Sequence, residues 1–204
     1  MNNNFEEQHP RDKQGQFVNK HVSRPPNITL GSSHDLRELA IHTHDVRDLD
    51  RLVTNEDMWV REAVAKNGGD SHHDQLVNDK EWNIRATVAQ YGNGTHRDQL
   101  IDDNDSRVRA AVAQYGSDTH RDQLIGDPSP DVRVMIAMCG NPAQQKQLLS
   151  DPELAVLKQL AQSADGDTRK KARKKVEKAL RKQKRHPTED QERLRAFFRR
   201  KAAQ

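Results

Sequence analysis

Three columns of reactive side chains step along this sequence with a common period of 24: His72, His96 and His120; Arg37, Arg61, Arg85, Arg109 and Arg133; and Asp79, Asp103, Asp127 and Asp151. Imidazoles could ligate a metal, arginines could hold a row of phosphates, and arginines beside aspartates could simply pair. Zinc–nitrogen bonds are about 2 Å long, whereas neighbouring helices in a stack lie roughly 8–10 Å apart. One ion could not easily gather two histidines that recur once per repeat, so no metal is expected. For Arg61, Arg85, Arg109 and Arg133 the expected role is structural: planar guanidinium forks suit partly buried pairing with a repeat-wide aspartate column. The segments Thr95–Leu100 and Thr119–Leu124 have the same sequence, Thr-His-Arg-Asp-Gln-Leu. They put His96, Arg97, His120 and Arg121 in a regular polar lattice, suited either to an extended partner or to plain solvated surface. No Ser/His/Asp set, Cys/His pair, glycine-rich phosphate loop or zinc-ligand spacing appears outside what the repeat itself generates. A non-enzymatic protein without cofactor is therefore expected.

The elements that must carry these columns follow from the apolar residues. Val60, Ile84, Val108 and Val132 share the period, as do Leu52, Leu76, Leu100, Leu124 and Leu148, and Ala65, Ala89, Ala113, Ala137 and Ala161. Such self-similarity is the mark of a stacked repeat. Within one unit Val108, Ala111, Val112 and Tyr115 fall at i, i+3, i+4 and i+7, which predicts one buried helix face. Gly68, Gly92, Gly116 and Gly140 then stop the helix, where a residue tolerant of positive φ is expected. Ser71, Thr95 and Thr119, each followed three positions later by an aspartate, are read as caps of a second, short helix, partly of three-ten type. The acids at 79, 103, 127 and 151, with Pro128 and Pro152 after two of them, suit the start of the next long helix. Four full units begin near Asn55, Asp79, Asp103 and Asp127, between degenerate ends at residues 36–55 and 151–163.

These columns resemble the leucine-rich repeat variant proteins, whose 24-residue repeats carry a Val-Arg pair, an alanine, a glycine or asparagine stop and a later leucine. The resemblance spans residues 31–163. It implies an all-α fold in which α and three-ten helices alternate in a right-handed superhelical α-solenoid, a relative of HEAT-type arrays. Some members carry an iron–sulfur module beside the repeats; this chain has one cysteine, Cys139, within a repeat, so that feature is not carried over. HEAT-like alkylpurine glycosylases make a DNA-repair enzyme an alternative by architectural analogy, although aromatics at 4% offer little for a base-binding cleft.

Composition supplies the rest. Hydrophobic residues are 32% of the chain, against roughly 45–50% in ordinary globular proteins, so the core must be thin and repetitive. Residues 1–168 hold 18 Lys/Arg and 27 Asp/Glu, a balance of −9, while residues 169–204 hold 16 and 4, a balance of +12. Residues 164–204 form a basic helical extension in which Arg169, Lys170, Lys171, Arg173, Lys174, Lys175, Lys178, Arg181, Lys182, Lys184 and Arg185 could bind nucleic acid or an acidic partner. Ala172, Val176, Ala179 and Leu180 give that helix a narrow apolar stripe. Phe197 and Phe198, in a final helix beginning near Pro187, are a candidate anchor for a partner or for the array's own end. Residues 1–30, polar and interrupted by Pro10, Pro25 and Pro26, are read as a disordered leader. Neither a signal peptide nor an apolar span is apparent, so the expected location is the cytoplasm.

A binding or scaffold protein is expected, its repeat surface taking a protein or peptide, with nucleic acid possible through the basic helix. No membrane and no small-molecule substrate are expected. Within the repeats, Trp59 and Trp82 are the favoured contacts for a partner, because tryptophan is enriched at interface hot spots, with local packing the leading alternative.

Overall fold

The structure is a computed structural model, and it describes residues 32–43 and 45–185. Among them, regular structure is entirely helical. Ten-residue helices α1 (Ser33–His42), α3 (Met58–Asn67), α5 (Trp82–Tyr91), α7 (Ser106–Tyr115), α9 (Pro130–Cys139) and α11 (Leu154–Ser163) alternate with short ones. The short helices are α2 (Val46–Leu52), α4 (Asp70–Leu76), α6 (Gly94–Leu100), α8 (Asp118–Leu124) and α10 (Pro142–Gln147), the last running into a three-ten turn at Leu148–Ser150. A 20-residue helix, α12 (Gly166–Arg185), follows. From α3 to α11 every long helix starts one sequence period after the long helix before it. None of these helices is long and apolar enough to cross a membrane.

The chain divides into two compact units, Met1–Ile84 and Arg85–Gln204. In the first, α1 packs on α3 and α2 closes against both, around Leu39, Leu49, Leu52, Val60, Val64 and Leu76. In the second, α7, α9 and α11 pack in succession and α12 packs on α11. Its core is Val88, Leu100, Val108, Val112, Leu124, Val132, Ile136, Leu148, Val156 and Leu160.

Five local expectations are corrected. The caps of the short helices precede the predicted ones: they are Gly69, Asn93, Ser117 and Asn141. The histidine column then falls at the third helical position. His72, His96 and His120 each accept the cap residue's N–H on Nδ1, at 3.1, 3.0 and 2.9 Å. This is the reciprocal half of a capping box, with imidazole in the place usually held by a glutamate or glutamine. The glycines at the long-helix ends have ordinary backbone angles, with φ of −78° at both Gly68 and Gly116. They are needed for room: a Cβ on Gly116 would stand 2.5 Å from Val112 O and 3.0 Å from His120 Cβ. Where Ala164 fills this column the capping bond to Leu160 O lengthens to 3.1 Å, against 2.7–2.8 Å at the glycines, and the position four further on holds Thr168 in place of a histidine.

Three-ten bonds stand at helix ends, in first turns such as His72 N to Gly69 O and in the exit turns. The seven-residue helices are α-helical, and each then closes with an i→i−3 bond, Asp79 N to Leu76 O, Asp103 N to Leu100 O and Asp127 N to Leu124 O. The acids ending those turns do not cap the next long helix directly. Asp103 Oδ1 accepts the N–H of Asp105 at 2.9 Å, forming an Asx turn, and Asp105 is the cap. Asp127 does the same for Ser129, and Pro130 takes the first helical position. Lastly, the buried stripe of α7 is Val108, Val112 and Ala113; Tyr115 is 38% exposed and faces outward.

Candidate functional site

Three of the column arginines, Arg61, Arg109 and Arg133, are held on two sides. Arg109 donates from Nε and Nη2 to the two oxygens of Asp127 at 2.7 and 3.0 Å, and from Nη1 to Asp103 O at 2.7 Å. Arg61 does the same with Asp79 and Asn55 O, and Arg133 with Asp151 and Asp127 O. Arg85 pairs bidentately with Asp103 at 2.7 and 2.9 Å. One guanidinium thus grips the Asx turn that starts its own helix and the carboxylate of the turn that starts the next. These pairs are largely buried. The aspartate hydrogen bonds raise Arg61, Arg109 and Arg133 above the ordinary arginine value. Burial alone would raise the Asp103 carboxyl; the Arg85 guanidinium and the Asp105 N–H outweigh it and leave Asp103 below the usual value. No phosphate track remains here, because the forks are filled.

The two columns end together. At position 157 the arginine is replaced by Leu157, and at position 175 the acid is replaced by Lys175. At the other end Asn55 stands where Arg37 would find an aspartate, and the Arg37 guanidinium lies over the Trp59 ring, 5.7 Å from its centroid.

The expected polar lattice on the short helices is corrected as well. His96 is 1% exposed and His120 7%. His120 Nε2 lies 3.0 Å from Asp98 Oδ1, while Nδ1 accepts the cap N–H, so the ring is an acceptor at one end and a donor at the other. Gln144, in the same column, repeats this with an amide: Oε1 accepts from Asn141 N, and Nε2 donates to Asp122 Oδ1 at 2.8 Å. Histidine here is a spacer of fixed length. His72 Nδ1 is likewise occupied, and its Nε2 sits 3.1 Å from Asp50 Oδ1 without hydrogen-bond geometry.

The next column serves the opposite helix end. Arg97 Nε donates to Ala89 O at 2.8 Å, and Arg121 Nη1 to Ala113 O and Gly116 O at 3.2 and 2.8 Å. Cations at a helix C-terminus also match its dipole. Arg97 is only partly exposed, and burial lowers it below the ordinary arginine value. Neither the histidines nor these arginines are free to meet a partner, because backbone groups that sequence alone does not reveal already hold them.

Of the tryptophans, Trp59 is 50% exposed and Trp82 37%. What the sequence reading missed lies on the outer face of the long helices. In the second unit α7 offers Ala110, Ala111, Gln114 and Tyr115, and α9 offers Val134, Met135, Met138 and Cys139. Met138 is 44% exposed and Tyr115 38%; Tyr91 holds the same repeat position as Tyr115 and is also exposed. These eight positions on two packed helices carry no ionic side chain. The missed signal was positional: the residues sit two or three places from the buried valine, alanine and isoleucine columns, on the far side of the helix. The Cys139 thiol is directed at Met135 O and Ala113 O, and burial pushes its pKa up. That is the opposite of what a reactive thiolate needs.

Helix α12 is the other candidate surface. Ala172 is fully buried and Val176 and Ala179 partly so, while Lys170, Lys171, Arg173, Lys174, Lys175, Lys178, Arg181 and Lys182 are exposed. Lys184 and Arg185 fall in its last turn, and Phe197 and Phe198 lie outside the described residues.

A row of helix pairs locked by filled arginine forks, with open faces on the long helices, defines a helical repeat protein. Among solved structures the chain is similar to a leucine-rich repeat variant with a novel repetitive protein structural motif. The match has 24% sequence identity and a TM-score of 0.56, and covers 70% of this chain and 66% of that one. The fold is that of the leucine-rich repeat variant: all-α, with helices in a regular repeating arrangement. No family model and no curated protein matches the sequence.

Proposed function

We propose that this is a non-enzymatic binding protein that takes an apolar segment of a partner protein or peptide on the outer face of its long helices. The supporting observation is the uncharged surface made by Ala110, Ala111, Tyr115, Val134, Met135 and Met138 on adjacent helices α7 and α9. Tyrosine and methionine are enriched at the cores of protein interfaces and charged residues are depleted there. Methionine also adapts its shape to what it meets. The polar short-helix face lacks this character, since its histidines and arginines are spent on capping.

Panning a random peptide library on the full-length protein tests the reading. The selected peptides should be apolar or aromatic, and a Tyr115→Asp, Met138→Asp double variant should bind them at least about tenfold more weakly, as loss of a hot spot does. Peptides that bind the double variant equally well would remove this face from consideration.

A further inference from the structure

Helix α12 carries eight exposed cations between Lys170 and Lys182, and they are not equivalent. Lys171 pairs with Asp167 at 2.5 Å and Arg181 with Glu177 at 2.6 Å. Lys175 Nζ donates to Leu149 O at 2.6 Å, and Arg173 Nε reaches Ala161 O at 3.4 Å. What remains is Lys170, Lys174, Lys178 and Lys182, at i, i+4, i+8 and i+12, with no carboxylate in ion-pair reach among the described residues. At about 1.5 Å of rise per residue these four ammonium groups form one ridge, about 6 Å apart along the axis and about 18 Å long.

We propose that this ridge binds the phosphate backbone of a nucleic-acid duplex without reading its sequence. Lysine is a compact point charge that neutralises phosphate without fixed geometry. A protein partner fits less well, because lysine is depleted in protein interfaces and Leu180 is the one large apolar side chain exposed on the described part of α12. A lipid surface fits less well too: a membrane-bound helix needs a free apolar face, whereas Ala172, Val176 and Ala179 are turned inward as the helix packs on α11. Single strands are held largely by stacking on aromatics, and α12 has none. The segment 1–168, at −9, repels polyanions, so engagement is confined to the basic end of the chain.

The test is fluorescence anisotropy of labelled DNA and RNA duplexes with the full-length protein and its K170Q/K174Q/K178Q/K182Q variant, over a range of salt. Glutamine retains helix propensity close to that of lysine, and a circular dichroism spectrum checks that the variant is folded. Wild-type affinity for one or both duplexes should fall linearly on logarithmic axes as salt rises. The variant should bind at least about tenfold more weakly at about 100 mM salt, with a slope shallower by roughly 3 to 4. A K171Q/R181Q variant, which removes cations already paired, should change the slope by less. Co-sedimentation with phosphatidylserine vesicles is run in parallel, and three results would overturn the proposal: no duplex binding even at about 50 mM salt, a slope unchanged in the four-lysine variant, or binding to the vesicles alone.

Discussion

The array and the terminal helix are both rich in positive charge, and they use it in opposite ways. In the array Arg61, Arg109 and Arg133 each sit in a largely buried fork, their donors divided between the aspartate of the next repeat and the carbonyl that opens their own helix. On α12 the four ridge lysines stand in solvent, with no acid in ion-pair reach among the described residues. The difference follows from cost. A buried charge must be fully partnered or the fold loses several kcal/mol, whereas a surface charge contributes little to stability and stays available. Arginine occupies the first setting and lysine the second, as their geometry and hydration favour.

The sharpest way to break this comparison is to remove one charge from each side. Arg109→Ala should destabilise the protein by about 3–5 kcal/mol, because it strands the Asp127 carboxylate in a buried turn. Lys174→Ala should stay within about 0.5 kcal/mol of wild type. Urea denaturation of the two variants measures both, and equal losses would abolish the distinction.

A smaller effect sharpens the account of the histidines. His120→Ala should cost about 1–2 kcal/mol, the usual penalty for a lost cap. His120→Gln should recover most of that, since Gln144 already does the same two jobs one repeat later. Thermal melting of the pair is sufficient, and a glutamine variant as unstable as the alanine one would show that the ring is required for more than its two nitrogens.

The smallest expected effect is in acid. The Arg107 guanidinium holds the Asp105 carboxyl at about 2, below an unfolded-chain value of about 3.9. A depressed carboxyl contributes stability that is fully present above about pH 4 and is lost as pH falls toward about 2. Asp105→Asn should therefore flatten the decline in stability between those limits, read from melting temperature against pH. An unchanged slope would assign acid sensitivity to other depressed carboxyls such as Asp103 and Asp118.

The fold was legible because its signal is repeated: a valine or isoleucine recurring once in every period marks a helix and its inward face at once. The Arg/Asp columns were legible for a related reason, since opposite charges in step with one period have an obvious partner in each other. The short helices were harder. His96 and Arg97 look like surface residues in any one-dimensional reading, and what hides them is a cap N–H and a helix-end carbonyl whose positions depend on where the chain turns. Tyr115 failed the other way: at i+7 from Val108 it belongs to the helical stripe by spacing, yet within α7 only Val108, Val112 and Ala113 are fully covered by neighbours. The sequence of α12 displays its cations but not which of them are neutralised, because that depends on where Asp167, Glu177 and Leu149 O lie in space.

The joint ending of the arginine and aspartate columns bears on heredity. Every carboxylate bond of the lock spans the same interval of sequence, so an unequal crossover that deletes or duplicates one whole repeat removes or adds one arginine together with one aspartate. Excising residues 103–126, for instance, brings Arg85 to the same spacing from Asp127 that it now has from Asp103. Gene-level changes in length can therefore occur in whole blocks without leaving a lone buried charge, and point mutation of either column is the costlier kind of change.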